Sequence, residues 1–234
     1  MNKLVLLLLV LKMTVIFRAS AETNCLDGAG FSPVPKMTVI FGQEKAPEGA
    51  TILDATQLVH EDGKPCSWPV VEGALEVGKG SVMTKEKYAD FQLHVEFNIP
   101  EPPEGAKDQA RSNSGVYIQR RYEVQILETF GLEPVFNSCG AIYRQKPPDK
   151  NAGKKAGEWQ TYDITFQAAR FEDGKKTKGA RITLVWNGVK VHDDYEIKDK
   201  TGAGKPEGPE PGPILFQDHG AKVKFRNVWI LPKK

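Results

Sequence analysis

The sequence is poor in cysteine, and its few thiols match no metal or redox motif. It contains three of them: Cys25, Cys66 and Cys139. Their spacing fits neither a zinc site nor a redox CxxC pair, and no histidine forms a nucleophile–base pattern around a cysteine. We therefore expect no cysteine catalysis. In an exported chain one pair can form a disulfide and leave an odd thiol, and the spacing does not select the pair.

The chain also lacks an excess of charge of either sign. Its 32 basic and 30 acidic side chains leave a formal net charge of +2. No basic stripe or basic helix stands out, so we expect no nucleic-acid partner. The lysines lie mostly in loops rich in glycine and proline, such as residues 150–155 and 175–178, where they favour solubility.

No apolar run is long enough to span a membrane stably. Residues 4–11 are an unbroken aliphatic run, but Lys12 interrupts it short of the ~20 residues that a spanning helix needs. Ala19-Ser20-Ala21 then supplies the small residues of a signal-peptidase site. We predict a signal peptide over residues 1–21, a secreted or periplasmic protein, and one mature domain over 22–234. The weaker alternative is a membrane anchor.

Helical periodicity is missing as well, apart from a short helical turn expected near residues 85–88. Residues 91–97 alternate apolar and polar side chains strictly, which is typical of a half-buried strand. Residues 163–167, 181–186 and 223–230 contain similar strands. Asn187-Gly188 predicts a type I′ hairpin turn between two of them.

Long loops separate these strands. They run over residues 100–111, 147–157 and 200–213 and are rich in proline, glycine and lysine. Loops of this length in a compact β domain are uncommon unless they shape a binding surface or are disordered. Short strands with such loops predict an all-β fold, a jelly-roll β-sandwich of two antiparallel sheets.

The most polar strand lies over residues 122–128. Its alternation places Glu123 and Gln125 on one face, whereas Glu128 shares that face only if a β-bulge intervenes. Glu-x-Gln-x-x-Glu has the spacing of the motif in laminarinase-like retaining glucanases, in which two carboxyl groups lie ~5 Å apart. Gln125 stands where those enzymes have aspartate. The alternative is an ordinary exposed strand face.

Other polar and aromatic residues accompany this strand in the sequence. Asn113 and Tyr117 precede it, and Arg120 lies in the turn between them and Glu123. Near the C-terminus, Gln217-Asp218-His219 gathers an amide, a carboxylate and an imidazole, in which the carboxylate could orient the base. The alternative is a hydrogen-bonded turn that closes the sandwich. Trp159 and Trp229 could stack on sugars or belong to the core.

Nine segments follow one another in a fixed order. They are residues 84–88 (TKEKY), 90–97 (DFQLHVEF), 113–117 (NSGVY), 121–128 (RYEVQILE), 139–143 (CGAIY), 157–163 (GEWQTYD), 187–189 (NGV), 217–220 (QDHG) and 225–230 (FRNVWI). Taken together, these segments resemble the 3-keto-disaccharide hydrolase family. The resemblance runs from about Trp68 to Leu231, and one departure is Glu128, where the family more often has aspartate.

This resemblance implies a concanavalin A-like fold, export, and cleavage of glycosides whose sugar is oxidised at C3. A 3-keto group acidifies the hydrogen at C2, so a base can remove it, the glycosidic oxygen can leave from C1, and water can then add. The candidate catalytic residues are Glu123, His219 and Glu128. The candidate substrate-binding residues are Gln125, Asn113, Gln217, Tyr117, His94, Glu96 and Arg120.

Cofactor and function keep their alternatives at this point. No cofactor is certain, although Glu96 and Glu128 could instead bind a hard divalent cation. The expected partner is a small glycoside or an oligosaccharide. The rival functions are a non-catalytic, lectin-like carbohydrate-binding module and a retaining glucanase that uses Glu123 and Glu128, because the same fold serves all three.

Overall fold

The computed structural model describes residues 46–233. The predicted signal peptide and Cys25 lie outside these residues. Within them the strands are β1 (Thr51–Ile52), β2 (Leu58–His60), β3 (Val70–Val71), β4 (Ala74–Glu76), β5 (Val82–Thr84), β6 (Phe91–Asn98), β7 (Ser114–Ile118), β8 (Tyr122–Ile126), β9 (Trp159–Gln167), β10 (Arg170–Glu172), β11 (Lys175–Lys178), β12 (Ala180–Trp186), β13 (Val189–Ile197), β14 (Leu215–Phe216) and β15 (Lys224–Pro232). Two short 3₁₀ helices cover Ala55–Gln57 and Asp108–Ala110.

The strands form two antiparallel sheets. The first sheet has the order β13-β12-β9-β6-β15-β4-β3, with β1 also paired to β15. The second has the order β2-β5-β14-β7-β8, and β10 and β11 form a separate hairpin. The prediction of an all-β sandwich of two antiparallel sheets is confirmed.

Large side chains from the two sheets meet between them. Tyr122 of the second sheet contacts Phe166 of the first with ring centroids 5.8 Å apart. Phe216 and Phe225 bridge the sheets in the same way at 5.0 Å. Aromatic pairs at these separations add to the free energy gained by burying their area. The inward-facing residues of every long strand are therefore core, and chemistry is left to the outward faces and the loops.

Two local predictions had different outcomes. Asn187 and Gly188 both have positive φ, 48° and 78°, as a type I′ turn requires, so the predicted hairpin is confirmed. The short helical turn expected at residues 85–88 is wrong. Tyr88 instead exchanges backbone hydrogen bonds with Gly212 at 2.9 and 3.2 Å, and this strand-like pairing leaves its amide unavailable to a helix.

The loop over residues 200–213 folds back onto the polar strand. The Thr201 N–H donates to Arg121 O at 3.0 Å, and the Lys205 N–H donates to Arg120 O at 2.8 Å. The approach is so close that a Cβ at Gly204 would lie 2.0 Å from Arg121 O, which only glycine avoids. A long loop near the C-terminal end of the chain thus covers the turn between β7 and β8.

Cys66 and Cys139 are both free, so they are not bonded to each other. Burial raises the pKa of the Cys139 thiol to about 11, which keeps it protonated. Among residues 46–233 no helix is long and apolar enough to cross a membrane.

Candidate active site

The register of β7 and β8 places the polar side chains opposite one another. Tyr117 pairs with Glu123 and Gly115 with Gln125. On these strands Val116, Val124 and their alternate neighbours belong to the core. The two register pairs therefore point away from the core, as the alternation of β8 predicts.

Tyr117 and Glu123 line a polar cavity of about 290 Å³, whereas Gln125 lies beside it and does not line it. Its lining residues are Gln109, Asn113, Tyr117, Glu123, Tyr143, Arg144, Gly202, Ala203, Gln217 and His219. Asn113, Tyr117 and Glu123 are buried, whereas Arg144 and His219 are exposed. The cavity thus has a buried carboxyl group at its floor and a guanidinium and an imidazole where it opens to solvent.

Glu123 is a buried titratable group of this cavity whose carboxyl titrates far from its usual range. It is 3% exposed, and burial raises the pKa of its carboxyl to about 7, although a hydrogen bond from Tyr117 opposes the rise. That bond runs from the Tyr117 hydroxyl to Glu123 Oε2 at 2.8 Å. A carboxyl group that titrates near neutral pH can both accept and return a proton, which makes it a candidate general base.

Two glycines give the Glu123 carboxylate its room. A Cβ at Gly115 would lie 2.6 Å from Glu123 Oε1, and one at Gly202 would lie 3.3 Å from Glu123 Oε2. Gly202 also has a positive φ of 41°. The Glu123 N–H donates to the Thr201 hydroxyl at 2.6 Å. The strand on one side and the loop on the other therefore hold the carboxylate in one place.

Three side-chain amide oxygens at or beside the cavity are buried and have no hydrogen-bond partner among residues 46–233. They are Asn113 Oδ1, Gln125 Oε1 and Gln217 Oε1. Gln109 orders two of these amides: its Oε1 accepts from Gln125 Nε2 at 2.7 Å and from Asn113 Nδ2 at 3.2 Å. Because buried polar atoms in proteins are nearly always paired, these three acceptors are available to hydroxyl groups of a ligand or to water.

The turn over residues 217–220 brings His219 to the cavity, but Asp218 and His219 do not form the predicted pair of carboxylate and base. The Asp218 carboxylate accepts from the Gly80 N–H at 2.8 Å and from the Gly220 N–H at 2.9 Å. It therefore closes the turn, as the alternative reading of this segment expected, and does not orient the imidazole. His219 still lines the cavity.

Glu128 does not line the cavity. Ile126 and Leu127 both pack in the core, so the alternation of β8 breaks just before Glu128, as a bulge would require. Its carboxylate, however, forms an ion pair with Arg111 and accepts from the Phe130 N–H at 3.0 Å. Glu128 is thus held by other partners and does not supply the second carboxyl group that a retaining glucanase needs beside Glu123.

His94 and Glu96 lie on the other sheet. His94 Nδ1 is 2.7 Å from Asp163 Oδ1, and the His94 ring stacks on Trp229 at 5.3 Å. Glu96 accepts from Arg226 at 2.7 Å and from Asn227 at 2.9 Å. The structure does not bring either residue to the cavity, because β6 presents its polar face on the outside of the first sheet. Trp159, under Arg226 at 3.9 Å, is equally engaged there.

Arg120 lies at the edge of the cavity rather than in it. Its guanidinium is 5.6 Å from the centre of the Tyr117 ring and donates to Ala203 O at 2.8 Å and to Glu61 at 2.8 Å. Both Tyr117 and Ala203 line the cavity. Arg120 therefore holds the cavity wall together.

Sequence reasoning missed Gln109, Tyr143 and Arg144. The chain leaves β8 and returns beside it: the Gly140 N–H donates to Gln125 O at 2.9 Å and the Tyr143 N–H to Glu123 O at 3.1 Å. This return brings Tyr143 and Arg144 to the cavity. Residues 139–143 are one of the segments that carry the family resemblance, but that resemblance did not reveal their pairing with β8.

No ligand set for a metal ion is apparent in the described part of the chain. Among residues 46–233 no group of three or more His, Cys, Asp or Glu side chains is placed to hold one. Glu96 and Glu128, the candidate cation ligands, are each occupied by an arginine.

One protein family and several solved structures are similar to this chain. The 3-keto-alpha-glucoside-1,2-lyase-like domain matches residues 42–231. A crystal structure from Parabacteroides distasonis, described as a candidate glycosyl hydrolase, is 33% identical over 80% of this chain and 85% of its own, with a TM-score of 0.74. A second from the same organism, described likewise, is 23% identical over 84% and 99%, with a TM-score of 0.60, and supports the fold alone.

The search of curated proteins returned no match. The family match covers β1 to β14 and all but the last residue of β15, and the first structural relative is similar along four-fifths of the chain. The chain therefore belongs to the 3-keto-alpha-glucoside-1,2-lyase-like family of carbohydrate-active proteins.

Proposed function

We propose that the chain is an enzyme that cleaves the glycosidic bond of 3-keto-glucosides by elimination across C1 and C2, followed by hydration. The observation that carries the proposal is the buried Glu123 carboxyl, with a pKa of about 7, in a cavity lined with unpaired amide oxygens. The family supports a 3-keto-glucoside as the substrate, and the 33% identical relative, described as a candidate glycosyl hydrolase, supports cleavage of a glycosidic bond.

The first step transfers a proton from the sugar to the enzyme. The C3 ketone acidifies the C2–H bond, and the Glu123 carboxylate takes this proton while the bonding electrons form an enolate with its charge on the C3 oxygen. The guanidinium of Arg144 is the donor in the cavity best suited to stabilise that oxygen. Asn113, Gln125 and Gln217 would accept hydrogen bonds from the other hydroxyl groups.

The second step expels the aglycone. The enolate electrons restore the C3 ketone and form a C1=C2 double bond while the C1–O bond breaks. The departing oxygen takes a proton from His219, which lies at the mouth where the aglycone would emerge. Water then adds its hydroxyl to C1 and a proton to C2, which gives the free 3-keto sugar and completes a net hydrolysis.

Comparison of a glucoside with its 3-keto derivative tests this function. We expect the purified protein to release the aglycone from methyl 3-keto-α-glucoside and to leave methyl α-glucoside intact. Cleavage of the unoxidised glucoside would favour the glucanase reading. Binding of either sugar without turnover would favour the lectin-like module, and each result would overturn the proposal.

The acid limb of the pH profile should report Glu123. Below its pKa of about 7 the carboxyl is protonated and cannot act as a base, so kcat/KM should fall as the pH drops below about 7. The Tyr117 hydroxyl stabilises the charged carboxylate, so Tyr117→Phe should raise that pKa. We expect the acid limb to move up by roughly 1 to 2 pH units.

Tyr122→Phe is the matched control for this shift. It removes a buried tyrosine hydroxyl from the neighbouring strand, β8, but that hydroxyl donates to Glu207 at 2.6 Å, away from Glu123. The pH dependence of kcat/KM in both variants decides the matter. An acid limb that stays in place in Tyr117→Phe, or moves equally in both, would contradict the role of Glu123.

The N-terminal segment supports a proposal about location. We propose that residues 1–21 direct export and are removed, so that the mature enzyme begins at Glu22 in the periplasm or outside the cell. Mass spectrometry of the protein recovered from an exporting host tests this. Retention of residues 1–21 would contradict it.

A further inference from the structure

Exposed hydrophobic side chains are concentrated in one loop. Seven large hydrophobic residues of the described chain are exposed, and four of them lie within residues 130–136. These are Phe130 (45% exposed), Leu132 (47%), Val135 (50%) and Phe136 (52%). Single exposed hydrophobic side chains are ordinary on protein surfaces, whereas a contiguous group indicates a binding surface. We call residues 130–136 the apolar loop.

Hydrogen bonds hold the backbone of the apolar loop in place. Asn151 Nδ2 donates to Thr129 O at 2.6 Å and to Leu132 O at 2.8 Å. The Ser138 hydroxyl donates to Val135 O at 2.8 Å, and the Phe130 N–H donates to the Glu128 carboxylate. Because the backbone is fixed on both sides, the apolar side chains face solvent as part of an ordered surface.

The apolar loop is directly connected to the catalytic cavity. The Arg144 N–H donates to Phe136 O at 2.7 Å, and Gln109 Nε2 donates to Asn137 O at 3.0 Å. Arg144 and Gln109 both line the cavity. The Phe136 end of the loop is therefore tied to the rim of the cavity, while Phe130 lies at the other end, 5.9 Å from the Lys155 ammonium.

The size of the cavity leaves part of a glycoside outside it. Cavities that enclose a drug-sized ligand have volumes of roughly 300 to 1,000 Å³, and this one, at about 290 Å³, is at the lower limit. Its polar lining suits one sugar ring. Whatever is attached to C1 must then emerge at the rim, where Arg144 and His219 lie and to which the Phe136 end of the apolar loop is tied.

We propose that the apolar loop binds the aglycone and that the preferred substrates are 3-keto-glucosides with an apolar, aromatic leaving group. The proposal rests on the proposed function for the identity of the sugar. Phe136, whose carbonyl accepts from the Arg144 N–H, is the exposed residue of the apolar loop that is tied most directly to the cavity. Stacking on the Phe136 side chain favours an aromatic aglycone over a methyl aglycone on the same sugar.

Phe136→Ser tests the proposal with a pair of substrates. We measure kcat/KM for 4-nitrophenyl 3-keto-α-glucoside and for methyl 3-keto-α-glucoside. We expect a loss of roughly 3- to 10-fold for the aryl substrate, the value of one aromatic contact, and little change for the methyl substrate. Val189→Ser is the control, since Val189 is also exposed but lies on β13 of the first sheet.

A binding measurement keeps the proposal separate from the proposed function. If the wild-type protein cleaves neither keto sugar, the proposed function fails, and equilibrium binding of 4-nitrophenyl and methyl α-glucoside then tests the loop alone. Weaker aryl binding in Phe136→Ser, with methyl binding unchanged, supports the aglycone surface. An equal loss of binding for both sugars overturns it. It is also overturned if the wild-type protein is a dimer that Phe136→Ser converts to a monomer and neither form prefers the aryl sugar.

Discussion

Glu123→Gln should lower kcat/KM on a 3-keto-glucoside by about 10²- to 10⁴-fold, the usual contribution of a general base. Glutamine retains the size of the side chain and can still accept the hydrogen bond from Tyr117, so the cavity should keep its shape. The measurement is steady-state kinetics at pH 8, where the wild-type carboxyl is ionised. A variant with more than a tenth of the wild-type kcat/KM would contradict the assignment.

The same substitution should stabilise the fold at alkaline pH. The pKa of Glu123 is raised from 4.5 to about 7 on folding. Between these values the folded state holds a proton that the unfolded state has lost, so stability falls as the pH rises through this window. At pH 8 Glu123→Gln should gain up to about 3 kcal/mol in the free energy of unfolding, and the gain should vanish below about pH 4.5.

Glu96→Gln is the matched control for both effects. Burial tends to raise the pKa of Glu96, but hydrogen bonds from Asn227 and Arg226 outweigh it and lower the pKa. The Glu96 carboxylate therefore stabilises the folded state at pH values above the pKa that Glu96 has in the unfolded chain. This stabilisation is lost as the pH falls, which is the opposite of the dependence expected for Glu123. We expect Glu96→Gln to reduce stability at pH 8 and to leave kcat/KM near the wild-type value, because Glu96 lies on the first sheet.

Gly115→Ala should disable the site by a single methyl group. The new Cβ would lie 2.6 Å from Glu123 Oε1 and 3.2 Å from Glu123 Cγ. Since Glu123 is buried and held by Tyr117, the carboxylate must move away from its present position. A displacement of about 1 Å in a catalytic group costs on the order of 10²-fold in rate, so we expect a loss of that size in kcat/KM.

Gly208→Ala provides the comparison for that loss. A Cβ at Gly208 would have its nearest neighbour, Arg121 Nη2, at 3.6 Å, an ordinary contact. Gly208→Ala adds the same methyl group as Gly115→Ala but does not crowd the Glu123 carboxylate. Wild-type kcat/KM in Gly115→Ala, or an equal loss in Gly208→Ala, would show that the space beside Glu123 does not matter.

The sequence was sufficient to predict the long strands and one face of the site, but not the short strands β1 to β5, β10, β11 and β14. Alternation on β8 correctly separated Glu123 and Gln125 from the core, because side-chain direction in a strand follows the backbone. The same alternation on β6 identified His94 and Glu96 as outward-facing, which they are. It could not reveal that they face outward from the other sheet, because a strand's periodicity carries no information about its pairing partners.

Residues on loops were the least predictable part of the site. Arg144 reaches the cavity because residues 140–143 return beside β8, and nothing local in the sequence specifies that return. Glu128 was ambiguous because two successive core residues, Ile126 and Leu127, end the alternation just before it. Its ion pair with Arg111 depends on a contact across 17 residues that no spacing rule predicts.

The fate of the hydrogen at C2 tests the central claim most directly. Methyl 3-keto-α-glucoside carrying deuterium at C2 is incubated with the protein in ordinary water, and the released sugar is examined by NMR beside an enzyme-free sample. Because Glu123 is proposed to remove that atom before the C1–O bond breaks, we predict that the released sugar has lost its deuterium beyond the spontaneous loss. A released sugar that retains the deuterium at C2 would contradict the elimination mechanism.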